Sequence, residues 1–161
     1  MAVINPVGAA LPIVAAFEGF VPKAYRDGGG VWTIGYGLTE AAGLGIKIES
    51  GRTISESHAR LYLRTALEKF WSDISPYIRG RYTEKQAAAM LSLAYNIGPN
   101  AFRRSSVLRL FNLGNVQAAA DAFLLWNKDN GRVVPGLTNR RKKERDLFLQ
   151  YLSPSDKEPI K

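Results

Sequence analysis

The sequence predicts an α+β fold that is mainly α, in which a small N-terminal lobe with a β-hairpin is joined by a long helix to a helical C-terminal lobe. Three observations lead to this prediction. Residues 23–38 combine strand-forming side chains with turn glycines, as a hairpin does. Residues from about 55 to 77 carry one apolar stripe at helical spacing. From Thr83 onward, capped helical segments follow one another.

At 161 residues the chain is predicted to form a single domain that can bury a sizeable core. We place the N-terminal lobe at about residues 13–55 and the connecting helix at about residues 55–77. The C-terminal lobe is expected at about residues 80–152, packed with residues 1–12. Residues 153–161 are predicted to be a frayed tail.

The composition excludes several classes of chemistry. The chain has no cysteine, which rules out disulfides, zinc–thiolate sites, iron–sulfur clusters and cysteine nucleophiles. Its one histidine, His58, rules out a polyhistidine metal site and makes a Ser-His-Asp triad a poor explanation. We expect His58 to be a solvated residue in the first turn of the connecting helix, and we predict an active site with no metal and no cofactor.

The positive charge is concentrated in the second half of the chain. Residues 1–80 have a net charge of +1 and residues 81–161 a net charge of +7, which together give the net charge of +8. A basic half of this kind suggests a polyanionic partner, namely a cell wall, a membrane surface or nucleic acid. The alternative is a solvated basic helix without such a partner.

The first helix is expected to begin at the Asn5-Pro6 pair, to restart or kink at Pro12, and to end beside Glu18. Residues 1–17 carry no charged side chain, but the prolines and a length short of a bilayer span argue against a signal peptide or anchor. Glu18 therefore lies at a helix C-terminus beside apolar rings. The helix dipole and desolvation both favour the protonated carboxyl there, which is the form that a general acid needs.

The hairpin is predicted to turn at residues 28–30, which are all glycine. With these three residues as the loop, Asp27 lies opposite Val31, and Tyr25 lies opposite Thr33. Asp27 and Thr33 are then diagonal neighbours on one face, close enough to share a water molecule. The alternative is a glycine-rich surface hairpin in which the turn simply favours aspartate.

Capping residues mark the starts of the following helices. Thr53 and Glu56 form a predicted capping box for the connecting helix, whose apolar stripe begins at Ala59. Thr83 and Gln86 form a second capping box. The inward face of the helix after Thr83 is predicted to consist of Ala87, Met90, Leu93, Ala94 and Ile97.

The rest of the C-terminal lobe is predicted to hold helices at Ser105–Leu113, from Asn115 to Trp126, and at Asn139–Leu152, with a turn-rich loop at Asn127–Gly136. The last helix carries the basic run RRKK, residues 140–143, near its start. The helix dipole disfavours cations at that end, so local stability does not explain them. Contact with an anion or a saccharide is the resulting hypothesis.

Three segments form an ordered set along the chain. Residues 17–37 contain FEGF, YRD and GVWTIGYG, in which a Glu, eight residues, an Asp, five residues and a Thr place Glu18, Asp27 and Thr33. Residues 92–102 read SLAYNIGPNAF, and residues 135–148 read PGLTNRRKKERDLF. This set closely resembles the phage-type lysozymes of glycoside hydrolase family 24, and the resemblance spans nearly the whole chain.

Two positions depart from the family pattern. Relatives often carry a His where this chain has Leu38, and an Asp where we align Ala66. Both positions look structural in the family, so the departures concern local stabilisation rather than catalysis.

The resemblance implies a lysozyme-like fold and a muramidase that cleaves the β-1,4 bond between N-acetylmuramic acid and N-acetylglucosamine in peptidoglycan. Glu18 would protonate the leaving oxygen. Asp27 and Thr33 would position the attacking water, and a water-holding threonine favours inversion of the anomeric configuration. Asn139 and Arg140 are predicted to contact the saccharide, from their place in the last motif, whereas Trp126 is predicted to be a core residue.

The resemblance further implies an endolysin that acts in host cell lysis. Such a protein would be a monomer, held in the host cytoplasm until its release with the help of a holin. It would then act on the wall, which is in the periplasm of a Gram-negative host. Its partners would be peptidoglycan and an anionic wall or membrane surface, but no nucleic acid.

Two other functions remain open on the sequence alone. A lytic transglycosylase would use one glutamate and no water, and the pairing of Asp27 with Thr33 argues against it. A non-catalytic module that binds wall polymer or nucleic acid would be supported only by the basic half of the chain.

Overall fold

The computed structural model describes residues 4–150, and within this range it confirms the predicted fold class, mainly helical with a small hairpin sheet. The predicted end of the last helix at Leu152 and the predicted tail at residues 153–161 lie outside the described residues. The helices are α1 (Val7–Glu18), α2 (Glu56–Ile74), α3 (Glu84–Ile97), α4 (Pro99–Arg103), α5 (Ser106–Asn112), α6 (Val116–Ala122) and α7 (Pro135–Leu149). The strands are β1 (Val21–Arg26), β2 (Trp32–Gly35), β3 (Lys128–Asp129) and β4 (Arg132–Val133), and short 3-10 helices lie at Glu40–Ala42, Ser75–Tyr77 and Phe123–Leu125.

The chain divides into two compact units. The N-terminal unit is Leu11–Lys69, and the C-terminal unit consists of Met1–Ala10 together with Phe70–Lys161. All three predicted catalytic residues belong to the N-terminal unit, whereas the predicted saccharide contacts belong to the C-terminal unit.

The first helix, α1, begins where it was predicted and runs without interruption to Glu18. The side-chain oxygen of Asn5 accepts a hydrogen bond from the amide of Val7 at 3.1 Å, which satisfies a donor at the helix start. The predicted restart at Pro12 does not occur, since this residue lies within the continuous helix. The helix ends after Glu18 because Gly19 has a φ of 72°, in the left-handed region that favours glycine.

The hairpin has the predicted register. β1 and β2 are antiparallel, with Tyr25 opposite Thr33. The amide of Asp27 donates to the carbonyl of Val31 at 2.9 Å, so the loop consists of the three glycines. The side chains of residues 25, 27, 31 and 33 consequently share one face of the hairpin.

A third segment extends this small sheet and shifts the start of α2. The amide of Ala24 donates to the carbonyl of Arg52, and Lys23 forms a bridge with Thr53. Thr53 is therefore extended backbone and not the helix cap, so the capping box predicted at this residue was wrong. The hydroxyl of Ser55 caps α2 instead, since it accepts from the amide of His58 at 3.2 Å.

α2 itself agrees with the prediction for the connecting helix. It spans Glu56–Ile74, and Ser75–Tyr77 continue it as a 3-10 turn. Its apolar stripe is buried at Ala59, Leu63, Ala66, Leu67 and Ile74. His58 is exposed in its first turn.

The core of the C-terminal unit is built around α3. The predicted capping box is confirmed, because the hydroxyl of Thr83 accepts from the amide of Gln86 while the side chain of Gln86 accepts from the amide of Thr83. Every residue from 86 to 94 is buried. The single inward face predicted for this helix was therefore too narrow, since α3 is enclosed on all sides.

The segment predicted as a turn-rich loop contains a small hairpin. β3 and β4 pair across residues 130 and 131, and Asn130 and Gly131 have φ values of 49° and 78°. An Asn-Gly pair with two positive φ angles forms the tight turn that suits the twist of adjacent strands. This dipeptide was the available signal for the hairpin.

The last helix, α7, starts four residues before its predicted first residue, at Pro135. Proline is well suited to a first helical position, since its fixed φ matches the helix and its missing N–H has no partner there. The basic run at residues 140–143 consequently lies beyond the first turn. The argument that the helix dipole disfavours these cations does not apply to them.

Candidate active site

Glu18 is the last residue of α1, and its carboxylate is half-buried in the N-terminal unit. The chain returns to it after β2, where Gly37 lies against the carboxylate. The helix end and the turn after the hairpin thus define the position of this acid.

The two carboxylate oxygens of Asp27 have different surroundings. Its Oδ1 accepts hydrogen bonds from the amides of Gly29 at 2.9 Å and Val31 at 2.8 Å, which fixes the glycine turn. The residue is exposed, and no hydrogen bond or ion pair within residues 4–150 involves its Oδ2. One oxygen therefore stabilises the turn, and the other can accept a hydrogen bond from solvent.

Thr33 lies in β2 with only 4% of its surface exposed. Its hydroxyl donates a hydrogen bond to the carbonyl of Val31 at 3.0 Å. With its proton used in this way, Oγ1 can only accept a hydrogen bond from a further partner.

Tyr25 lies close enough to both acids to be influenced by their charges. Its pKa is raised by burial and, in addition, by the negative charges of Glu18 and Asp27. The side chain is 38% exposed and stands opposite Thr33 in the hairpin. The hairpin thus places Tyr25, Asp27 and Thr33 on one face, and Glu18 is near enough for its charge to contribute to the raised pKa of Tyr25.

The site has residues that the sequence patterns did not assign to it. Tyr25 was not among the predicted site residues, although its two-residue offset from Asp27 puts it on the same face. Gly37 was not among the predicted site residues either, and no sequence pattern shows which side chain it meets.

The positions that depart from the family pattern are both buried. Leu38 is 4% exposed and Ala66 is 1% exposed, each within the N-terminal unit. Burial of apolar surface contributes to stability at both positions.

The two predicted saccharide contacts differ in exposure. Asn139 is exposed on α7, as a contact residue would be. Arg140 is only 4% exposed, and its guanidinium binds Glu144 at 3.3 Å and the carbonyl of Ser92 at 3.2 Å. This burial supports a structural role for Arg140, and its direct contact with a saccharide stays a prediction.

Arg140 belongs to a buried charge cluster formed by Arg140, Arg141, Glu144 and Ser92. Arg141 binds Oε1 of Glu144 at 2.8 Å, and the hydroxyl of Ser92 donates to Oε2 at 2.5 Å. Burial raises the pKa of the Glu144 carboxyl, while the two arginine charges and the serine hydrogen bond oppose this rise. Half of the basic run is therefore explained by internal ion pairs.

Trp126 is not the core residue that was predicted. It is half-buried and lines a cavity of about 530 Å³ in the C-terminal unit, together with Asn96, Ile97, Lys128, Asp129, Val134 and Leu137. A cavity of about 450 Å³ in the N-terminal unit, lined from Arg52 to Thr65, includes none of the three predicted catalytic residues.

Residues 4–150 contain neither a metal-binding cluster nor a membrane-spanning helix. No three acidic or histidine side chains in this range are arranged to hold a metal ion. No helix in the same range is both long enough and apolar enough to cross a bilayer.

Comparison with known proteins relates the chain to one family. The family model described as Phage lysozyme matches residues 15–144. The endolysin of Salmonella phage P22 is 44% identical over 132 residues, which cover 82% of this chain and 89% of that protein. The endolysin of Bacillus phage B103 is 37% identical over 148 residues, covering 91% of this chain but 54% of that protein, so this chain spans about half the length of that relative.

A similar fold is found among solved structures. The muramidase domain of SpmX from Asticaccaulis excentricus aligns with a TM-score of 0.80 and 31% identity. The alignment covers 92% of this chain and 99% of that domain. The likeness therefore extends over nearly all of both chains.

Proposed function

This chain belongs to the phage lysozyme family, and on that basis we propose that it is an endolysin with muramidase activity. The substrate is bacterial peptidoglycan, cut at the β-1,4 bond between N-acetylmuramic acid and N-acetylglucosamine. The observation that carries the proposal is the placement of Asp27 and Thr33 on one face of the hairpin, in the same compact unit as Glu18.

Glu18 acts as the general acid. It gives its proton to the glycosidic oxygen as the bond from that oxygen to the sugar carbon breaks. Its half-buried position at the end of α1, with Gly37 against the carboxylate, supports this role because it holds the acid in one place.

Asp27 and Thr33 hold the attacking water between them. The water donates one hydrogen bond to Oδ2 of Asp27 and the other to Oγ1 of Thr33, which can only accept because its own hydroxyl hydrogen is already donated to the carbonyl of Val31. The lone pair of the water is then available for the sugar carbon, and Asp27 takes the proton that the water loses. Attack by a water held in this way inverts the anomeric configuration.

The biological role that we propose is lysis of a bacterial host. The protein is made in the cytoplasm as a monomer, released with the help of a holin, and acts on the wall. In a Gram-negative host the wall lies in the periplasm. The P22 and B103 relatives, both named endolysins, support this role.

An anionic wall or membrane surface is a second proposed partner. It is supported by exposed arginines of the C-terminal unit. Arg103 lies over the ring of Tyr77, with its guanidinium carbon 4.0 Å from the ring centroid, and Arg104 is exposed beside it. In the described part of the chain neither guanidinium forms an ion pair, so both can bind an external anion.

The proposal is tested by Glu18→Gln, which keeps the shape of the side chain but removes the acid. We expect reducing-end release from purified peptidoglycan to fall by about 10²–10⁴-fold, because that is the usual contribution of a general acid. Thermal unfolding should be unchanged. The control is Glu40→Gln, the same substitution at an exposed acid of the same unit, which should keep full activity.

Substantial activity in Glu18→Gln would remove Glu18 from the central role. The products of the wild type distinguish the mechanisms. Hydrolysis adds one water to each cut bond, whereas a transglycosylase gives muropeptides lighter by one water. By NMR, an α-anomer as the first product supports inversion, and a purely β product would overturn it.

A further inference from the structure

Gly37 lies in a turn whose backbone is held on both sides. The amide of Ile34 donates to the carbonyl of Leu38 at 3.0 Å, and the amide of Leu38 donates back at 2.9 Å. Both side chains are buried, which anchors the two ends of the turn. Within it Gly37 has a φ of 73°, a conformation that residues with a side chain adopt only at a cost.

The space beside Gly37 is occupied by the Glu18 carboxylate. A Cβ atom at Gly37 would lie 2.8 Å from Oε2 of Glu18 and 3.3 Å from its Cδ. Unbonded carbon and oxygen atoms do not approach to 2.8 Å without displacement. Since the neighbour is the outer end of a flexible side chain and the turn is anchored, the carboxylate would move and the backbone would not.

We infer that Gly37 is a positioning residue, whose missing side chain provides the space in which the Glu18 carboxylate is held. The inference rests on the proposed function of Glu18 as the general acid. A methyl group at this position pushes the acid away from the place where it meets the glycosidic oxygen. Misplacement of a catalytic group by about 1 Å can reduce the rate by about 10²-fold.

The chain contains a matched control for this substitution. Gly45 belongs to the same unit and has a φ of 78°, but a Cβ there would meet nothing within 4 Å. Gly37→Ala and Gly45→Ala therefore introduce the same backbone strain, and only the first places an atom against Glu18. Asparagine tolerates positive φ better than alanine does, so Gly37→Asn and Gly45→Asn repeat the comparison with less strain.

We expect both alanine variants to have lowered unfolding midpoints from backbone strain, with a further loss in Gly37→Ala from the displacement of the Glu18 carboxylate. Gly45→Ala should keep kcat within about twofold of the wild type, whereas Gly37→Ala should lose about 10²-fold in kcat. KM should change little, because the displaced group contributes to the chemical step rather than to binding. The asparagine pair should show the same contrast at a smaller loss of stability.

The results distinguish a failure of the positioning role of Gly37 from a failure of the proposed function of Glu18. Equal kcat in the Gly37 and Gly45 variants, with Glu18→Gln inactive, overturns the inference and leaves the proposed function intact. A rise in KM alone in Gly37→Ala also overturns it, since that result indicates a binding role. Full activity of Glu18→Gln instead overturns the function itself.

Discussion

At the level of single residues, the proposed chemistry depends on where each polar hydrogen goes. The Thr33 hydroxyl donates a hydrogen bond to the carbonyl of Val31, and Oδ1 of Asp27 accepts hydrogen bonds from two amides of the turn. The two atoms that remain for a water, Oδ2 and Oγ1, are both acceptors. In the proposed mechanism a water between them donates both of its hydrogens, and this fixes the direction of its lone pair.

The roles of the two Asp27 oxygens can be tested separately by substitution. Asp27→Asn keeps a side-chain oxygen that can accept from Gly29 and Val31, but it removes the base. We expect its unfolding midpoint to stay near that of the wild type while the rate of wall hydrolysis falls by about 10²-fold or more. Asp27→Ala should lose the same activity and, in addition, about 1 kcal/mol of stability from the turn.

Urea denaturation and reducing-end release measure the two effects. An Asp27→Asn variant with near wild-type activity would contradict the role of this residue as the base. Equal stability of the two variants would contradict the role of Oδ1 in the turn.

Part of the site could be predicted from the sequence, because it depends on the register of one hairpin. The triple-glycine loop determines which residues face each other, and this is sufficient to place Asp27 and Thr33 on one face. The contact of Gly37 with Glu18 could not be predicted, since it joins a helix end to a turn. The burial of Arg140 was missed for a similar reason, because its partner Ser92 is distant in the chain.

At the level of elements, the buried charge cluster links α7 to α3. Glu144 is completely buried between two arginines and accepts from Ser92 on α3. Burying charge costs free energy, and here it is offset only because each charge has a partner. Removal of one partner should therefore be costly.

Glu144→Gln tests this expectation. It removes the buried charge that pairs with Arg140 and Arg141, and we expect it to lower the free energy of unfolding by about 3–5 kcal/mol. The control is Asp121→Asn. Asp121, on α6, forms an ion pair with Arg145, which lies on α7 next to Glu144. The Asp121 side chain is 54% exposed, so its loss should cost less than about 1 kcal/mol.

Both values come from urea denaturation followed by circular dichroism. A similar loss in the free energy of unfolding for the two variants would contradict a stabilising role for the buried charge cluster.

The helix starts show what sequence patterns can and cannot decide. The capping box at Thr83 is a local interaction, since it joins Thr83 to Gln86 only three residues later, and it was predicted correctly. The same pattern at Thr53 failed because this residue pairs with Lys23 of β1, and a distant strand overrides a local preference. The Asn130-Gly131 turn was readable from the sequence but was not recognised as a hairpin.

At the level of the whole molecule, the charge of +8 is the property that bears on association with a wall or membrane. Some of this charge cannot act on a partner, since Arg140 and Arg141 are buried with Glu144. Only the exposed cations can therefore contribute to association with a wall or membrane. The imbalance between the two halves follows from residue counts, but burial decides which charges face solvent.

A pair of double variants with the same change in net charge tests the arginine surface. Arg103→Glu with Arg104→Glu should weaken pelleting with purified walls or anionic vesicles at low salt by about tenfold or more. Lys142→Glu with Lys143→Glu, an exposed pair on α7, should weaken it much less. The difference should shrink as salt is added, because screening removes attraction between exposed charges.

Equal weakening by both double variants would contradict a specific surface, since net charge alone would then explain binding. Unchanged binding in the first variant would contradict an anionic partner at these arginines.

The enclosure of α3 affects how long the protein survives among proteases. A helix with residues 86–94 all covered cannot be cut or exchange its amide hydrogens while the rest of its unit stays closed. Its amides should consequently be the last in the described chain to take up deuterium, at a rate set by complete unfolding. Digestion should then begin elsewhere, and a nicked molecule should keep this helix as its most persistent fragment.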